Sequence, residues 1–289
     1  MMSRTVPVLP PIERIDDLIR RALDEDLGTA GDITTAATVP PGRTASAVIA
    51  ARKAGVAAGI PVAARVFGLV DPRLRVAERM KDGEAVSPGD VVLALEGAAA
   101  SILIGERVAL NFLGHLSGVA SATAALVAAV AHTRARICCT RKTTPGLRTL
   151  EKYAVRCGGG VNHRMGLYDA ILIKDNHIAA AGSVSAAIRG ARKAAGAGVK
   201  LEVEVDTLAQ LEEALAEGVD QVLLDNMTPA QLKTAVVMVN GRAITEASGS
   251  ITAATAGPVA ESGVDLLSVG WITHSAPSLD LGLDFESGL

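Results

Sequence analysis

The stretch 200-KLEVEVDTLAQLEEALAEGVDQVLLD-225 decides how the second half of this chain is built. It opens on a strand-like run, KLEVEV, and closes on another, QVLLD. Between them TLAQLEEALAEG is amphipathic at helical spacing. The rhythm recurs on both sides. ARICCT (135–140), AILIK (170–174), AITEAS (243–248) and LLSVG (266–270) read as further short apolar strands. TPAQLKTAVVMV (228–239) reads as another helix, with Pro229 suited to its first turn. Near-continuous apolar strands separated by helices indicate a parallel sheet covered on both faces. Six or seven such units predict an incomplete α/β barrel, with an open doubly wound sheet as the alternative. There is no shorter tandem repeat and no low-complexity linker.

The first part of the chain mixes its elements less regularly. Pro10 and Pro11 precede a helical run in which Ile12, Ile15, Leu18, Ile19, Ala22 and Leu23 share a face, closed by Gly28. TASAVIAARKAGVAAG (44–59) predicts β structure and PVAARVFGLV (61–70) a short helix. RLRVAERMK (73–81) and DVVLALEG (90–97) predict strands joined through the turn residues SPGD. Residues 98–132 are mainly helical, with a break expected near Gly118. The domain reading is therefore 1–118 for an N-terminal α/β domain and 119–275 for the barrel, with the tail 276–289 packing back on the first.

Composition bounds the function. The chain has 289 residues, 49% hydrophobic and 20% charged, enough apolar material for about two domains. Aromatics are only 2%, so the core is mostly Ala, Val, Leu and Ile. A net charge of −3 and a pI near 6.0 leave no basic excess for nucleic acid. Cys138, Cys139 and Cys157 make no disulfide framework; they read as buried small hydrophobes in a reducing compartment. MMSRTVPVLPPIERIDD carries no signal-like apolar region. GVASATAALVAAVA (118–131) is shorter than the roughly 20 residues needed to span a bilayer. The expectation is a soluble, cytoplasmic protein with no nucleic-acid or membrane partner.

In a βα barrel the C-terminal strand ends converge on one face, where active sites are built. ARICCT leads into Arg141 and Lys142, and AILIK ends in Lys174. KLEVEV carries Glu204, QVLLD ends in Asp225, and AITEAS supplies Glu246 and Ser248. LLSVG ends at Gly270. Several cations suit an anionic substrate, arginine especially for bidentate contact. Two carboxylates beside an anion call for a divalent metal, and Mg²⁺ prefers oxygen ligands and phosphate. Plainer roles exist for each residue. Arg141 and Lys142 suit a solvated loop, Lys174 can snorkel from a strand end, and Asp225 suits a helix N-cap. Glu202 and Glu204 share a face, and two unpartnered inward carboxylates would be costly, so one is expected inside and one near water or paired. His177 and His274 read as hydrogen-bonding residues rather than ligands. Lys174 at a barrel strand end also admits a Schiff-base aldolase, and a metabolite-binding protein without catalysis is a third class.

TRKTTPGLRTLEKYAVRCGGGVNHRMGLYDAILIKDNH (140–177) resembles the quinolinate phosphoribosyltransferase family. EDLGTAGDITT (25–35), GERVALNFLGHLSGVASAT (105–123), EVEVDT, LLDNM, EASGSI and VGWITHS extend the resemblance over nearly the whole chain, in order. It implies an N-terminal α/β sandwich followed by an incomplete α/β barrel, and a dimer or larger homo-oligomer. It implies a Mg²⁺-assisted reaction of quinolinate with 5-phosphoribosyl 1-pyrophosphate. The products are nicotinate mononucleotide, pyrophosphate and carbon dioxide, a step of NAD biosynthesis. By the same resemblance Arg141, His163, Arg164 and Lys174 hold the quinolinate carboxylates, with Arg107 donated by the partner subunit. Lys142 binds phosphate of the cosubstrate, while Glu204 and Asp225 hold ribose hydroxyls, Mg²⁺, or both. The turns Ser248, Gly249, Ser250 and Gly270, Trp271, Thr273, His274 take the 5′-phosphate.

Three positions depart from the family pattern: Cys139 where aspartate is usual, Ser250 where glycine or asparagine is, and Trp271 where a small residue is. A related group in molybdenum-transport operons shares TRKT and the glycine-HR pattern but is expected to lack ILIKDNH, present here at 171–177. Nicotinate phosphoribosyltransferase is a further non-decarboxylating alternative. The run CGGGVNHRMG (157–166) fits neither a Walker loop nor G-x-G-x-x-G. It follows a helix, so its glycines are expected to end that helix and turn His163 and Arg164 into the pocket.

Overall fold

The structure is a computed structural model that describes residues 8, 9, 11–196 and 198–286, without the side chains of 12–14. Pro10, the Ile12 side chain, the first seven residues of the leader reading and the last three of the tail lie outside it. In chain order the elements begin α1 (Ile12–Leu27), α2 (Ile33–Thr38), β1 (Thr44–Ala51), β2 (Gly55–Val56) and α3 (Ile60–Val70). Then come β3 (Arg75–Glu78), β4 (Ala85–Val86), β5 (Val91–Ala98) and α4 (Ala99–Ala129). The alternating half follows: β6 (Arg136–Cys138), α5 (Arg148–Cys157), β7 (Ile171–Ile173), α6 (Asp175–Ala181), α7 (Val184–Ala194) and β8 (Leu201–Val205). It continues α8 (Leu208–Glu217), β9 (Gln221–Asp225), α9 (Pro229–Val239), β10 (Ile244–Ser248), α10 (Ala253–Ala260), β11 (Leu266–Ser268) and α11 (Trp271–His274), and β12 (Leu281–Phe285) ends it. Two units emerge. One gathers residues up to 124, 149–159 and 275 onward; the other holds 125–148 and 160–274.

The first unit is built on an antiparallel sheet ordered β12-β1-β5-β3. Ile49 sits between Leu93 and Leu283 on the neighbouring strands. The ion pair Arg52–Asp284 (2.7 Å) ties the C-terminal strand down beyond its backbone bonds. Burial of Ile49, Leu93, Leu95, Ile60, Val66 and Phe67 forms the core beneath this sheet. Helix α4 runs unbroken through Gly118, where a break was expected. The glycine serves close approach instead: a Cβ there would lie 2.3 Å from the Pro277 carbonyl oxygen. Leu279 N–H then donates to Gly114 C=O (2.9 Å), seating the tail along the helix. Among the described residues α4 is the one helix long and apolar enough to cross a bilayer, longer than the run singled out in the sequence. Its apolar window is 56% buried inside the protein, as a core helix is.

Helix α5 belongs to this first unit although it lies between two barrel strands in sequence. Gly158 allows it: a Cβ there would meet the Ala120 carbonyl oxygen of α4 at 2.3 Å. His115 of α4 and the fully buried Glu151 of α5 pair at 2.8 Å. Tyr153 Oη donates to Asp82 Oδ2 (2.7 Å). Asp82 also accepts the backbone N–H groups of Gly59 and Ile60 (2.9 Å each), so it caps the start of α3 from a distant loop. Burial, with the nearby Asp82 charge, pushes the Cys157 thiol up to about 12, so it stays protonated.

The second unit is a six-stranded parallel sheet ordered β6-β11-β10-β9-β8-β7. All six strands read from the sequence are present. Beyond β6 the order follows the chain without the reversal that marks a doubly wound sheet, so the curvature is that of a barrel left open between β6 and β7. Local chemistry agrees with the pattern. Thr207 with Gln210, and Thr228 with Gln231, form capping boxes on α8 and α9, and Gly218 closes α8 in the left-handed region. Val203, Val222, Leu224, Leu211 and Leu232 are buried between strands and helices.

Asp82→Ala removes the acceptor of three donors, and a loss of about 2–4 kcal/mol is expected by chemical denaturation. Burial raises the Asp82 pKa above its ordinary 3.8. Its folded value therefore exceeds its unfolded one, and the stability it contributes declines as pH rises from the unfolded value through the folded one. The stability gap between the native chain and Asp82→Asn is expected to shrink as pH rises above about 4.

Candidate active site

Period-two alternation of the parallel strands builds the site. Leu172, Glu204, Leu223, Asp225, Glu246, Ser248 and Ser268 all face one cavity of about 450 Å³ at the strand ends. Thr140, Arg141, Lys142, His163, Arg164 and Lys174 complete its lining. Eight of the sequence-derived site residues, Arg141, Lys142, His163, Arg164, Lys174, Glu204, Asp225 and Ser248, are thus brought together. Arg107 is exposed on α4 in the first unit and is not among the lining residues.

The glycine run delivers two of these residues. Gly158 and Gly159 end α5, their N–H groups donating to Ala154 and Arg156 (3.0 Å each), with Gly159 at φ 88°. The chain then straightens. Val161 forms a one-residue parallel bridge with Cys138 at the open side of the barrel. Val161 N–H donates to Ile137 (2.8 Å), and Cys139 N–H donates to Val161 (3.1 Å). His163 and Arg164 follow directly into the cavity. The expectation that the glycines aim these residues holds, through backbone pairing to β6. Cys139 is fully buried, and its thiol reaches Asn162 Oδ1 at 3.5 Å. All three cysteines are buried and unbridged.

The cavity floor is a buried polar cluster. His163 Nε2 lies 2.8 Å from Glu202 Oε2 and 3.8 Å from Glu246 Oε1. Gln221 donates through Nε2 to Glu202 Oε1 (2.9 Å) and Glu246 Oε2 (2.6 Å). Burial, reinforced by the Glu202 charge, pushes the Glu246 carboxyl up to about 7. The His163, Glu202 and Glu246 donor atoms lie within 4.8 Å of one another, a set compatible with a divalent ion. The expected split between Glu202 and Glu204 holds: Glu202 is buried in this cluster, while Glu204 is less enclosed and paired. Glu204 sits one tier above, in ion pair with Lys174 Nζ.

Other side chains also shed their plainer roles. Asp225 does not cap α9, because Thr228 does. Its Oδ2 instead accepts from Asn226 Nδ2 (2.5 Å). Asn226 stands at φ 53°, and its N–H donates to the Ser248 carbonyl (3.0 Å). His177 accepts the Lys174 N–H at Nδ1 (2.9 Å), a hydrogen-bonding role as expected. Arg141 Nε is buried without a hydrogen-bond partner among the described residues. Arg164 Nη1 donates to Ala170 C=O (2.9 Å), and burial, with the Arg141 charge, lowers its pKa.

The remaining residues predicted for phosphate sit in the turn of Gly249 and Ser250 and at Gly270 with the short helix α11 that follows it. Gly249, at φ 115°, presses on Asn226, where a Cβ would lie 2.4 Å from Oδ1. A Cβ on Gly270 would lie 3.0 Å from Lys142 Cδ. Thr273 Oγ1 donates to the Lys142 carbonyl (2.7 Å). Sequence reasoning missed Gln221 and Asn226. Gln221 carried a signal, since a polar residue opening an apolar strand in register with Glu202 needs a partner. Gly249→Ala combines a left-handed backbone with an overlap on Asn226. A loss of about 2 kcal/mol, a few degrees in thermal midpoint, is expected.

Comparisons agree over both halves of the chain. Residues 32–117 match the family described as quinolinate phosphoribosyl transferase, N-terminal domain, and 119–284 match its C-terminal domain. Nicotinate-nucleotide pyrophosphorylase (carboxylating) of Mycobacterium leprae is 49% identical, over 93% of this chain and 96% of its own. A probable nicotinate-nucleotide pyrophosphorylase (carboxylating) of Bacillus subtilis is 43% identical, over 94% and 93%. The solved structure of the nicotinate-nucleotide pyrophosphorylase from Francisella tularensis superposes with a TM-score of 0.93 at 36% identity, covering 98% of this chain and 99% of its own. With both domains matched and nearly half its residues shared with a relative of equal extent, this chain belongs to the quinolinate phosphoribosyltransferase family.

Proposed function

We propose that the protein transfers the phosphoribosyl group of 5-phosphoribosyl 1-pyrophosphate to the ring nitrogen of quinolinate. Pyrophosphate and carbon dioxide are released, and nicotinate mononucleotide forms. The observation that carries this reading is the pair Arg141 and Arg164 lining one half-enclosed cavity. Arg141 Nε lacks a partner among the described residues, and the Arg141 charge opposes that of Arg164. Two guanidiniums in that state favour a dianion between them. The adjacent carboxyls of quinolinate supply it, with His163 and Lys174 as further contacts. The names of the relatives support the same reaction.

On this reading Lys142 and the turns 248–250 and 270–274 bind phosphate through a cation and backbone N–H groups. Glu204 and Asp225 accept ribose hydroxyls and face C1, where positive charge develops as the pyrophosphate leaves. Arg141 and Arg164 hold the carboxyls so that the ring nitrogen is directed at C1. After transfer the pyridinium nitrogen stabilises the carbanion left by carbon dioxide, so no protein nucleophile is needed. The oxygen donors of Glu204 and Asp225 fit Mg²⁺, which when bound would neutralise charge on the departing pyrophosphate. We further propose a cytoplasmic homodimer or larger homo-oligomer, with Arg107 of the partner subunit completing the carboxylate contacts. A Schiff-base role for Lys174 is disfavoured, because that chemistry needs a free amine and Lys174 is ion-paired with Glu204.

Carboxyl-labelled quinolinate with cosubstrate and Mg²⁺ is expected to release labelled carbon dioxide in step with pyrophosphate. A protein that binds both substrates and releases none is a binding protein or a non-decarboxylating relative. Arg141→Ala is expected to weaken quinolinate at least 100-fold, the effect of losing a charged bidentate contact, while cosubstrate affinity changes less than about threefold. Equal losses for both would remove Arg141 from the assigned role.

A further inference from the structure

The turns after β10 and β11 are held together by a side chain. Trp271 Nε1 donates to the carbonyl of Ile251 (2.9 Å), and Ile251 is itself buried. This bond is one link in a belt across the strand ends. Thr273 Oγ1 holds the Lys142 carbonyl at one side (2.7 Å). Asn226 holds the Ser248 carbonyl and the Asp225 carboxylate at the other (3.0 and 2.5 Å). Trp271 joins the two halves. A Cβ on Gly249 would overlap Asn226 Oδ1 at 2.4 Å and one on Gly270 would come within 3.0 Å of Lys142 Cδ, so both segments pack closely on their neighbours. Backbone N–H groups bind an anion well only when they converge without reorganising. Two separate turns converge on one phosphate only if their spacing is set.

We propose that Trp271 is a positioning residue: its indole N–H fixes the turn after β10 against the turn after β11, and this sets affinity for the phosphorylated cosubstrate. The inference rests on the reading of these turns as the 5′-phosphate site. It assigns no contact between the indole and substrate.

Trp271 is the chain's single tryptophan, so biosynthetic replacement with 3-benzothienylalanine alters one position and deletes only the N–H. Trp271→Phe is the genetic counterpart. Both are expected to raise KM for 5-phosphoribosyl 1-pyrophosphate about 3- to 10-fold, the effect of one lost hydrogen bond. The Kd for ribose 5-phosphate by calorimetry should weaken in parallel, while KM for quinolinate stays within twofold. A purely structural role would move both KM values together. That result, or an unchanged cosubstrate KM in the isosteric analogue, overturns the proposal while the function stands. Failure of the unaltered protein to turn over the two substrates overturns the function on which it rests.

Discussion

The contact between His163 and Glu202 is the constraint on which the site depends. Both groups are nearly enclosed, at 10% and 8% side-chain exposure, and 2.8 Å apart. Removing either partner would strand a buried polar group or charge, at a cost of about 3–5 kcal/mol. The contact anchors the segment leaving the glycine run to the barrel floor, and so sets where Arg164 begins. Glu202 in turn needs Gln221, which also takes up one oxygen of Glu246. Above this floor the Lys174–Glu204 ion pair and Asp225 are presented at the ends of strands that the floor ties together.

Much of this was legible because parallel strands in a barrel are written as short apolar runs. The six runs from ARICCT to LLSVG each became a strand. Pleating then decided which of their neighbours faced inward. The glycine run was legible because it failed the spacing of a phosphate loop and followed a helix. What was not legible depended on distant partners. Gly118 looked like a helix break until the Pro277 carbonyl was found against it. Asp225 was indistinguishable from a cap until Thr228 took that place. Glu202 and Glu204 differ only by position, yet one meets His163 and the other Lys174. No local pattern encodes a partner some 30 or 40 residues away.

Glycine in this chain serves two ends that the sequence does not separate. At Gly159, Gly218 and Gly249 it supplies left-handed backbone. At Gly114, Gly118 and Gly158 it lets backbone approach backbone inside the first unit. The second use is invisible to turn rules, because those rules read only neighbouring residues.

The C-terminal strand has a consequence for how the chain is made. Strand β1, residues 44–51, is edged by β12, residues 281–285, so the first sheet to be synthesised is completed only by a strand that emerges after the whole barrel. Throughout translation of the barrel, the β1 edge stands with unpaired N–H and C=O groups, a template for pairing with another chain. The order of synthesis thus runs against the order of assembly. A nascent chain stalled before residue 281 would hold a finished barrel beside an open sheet.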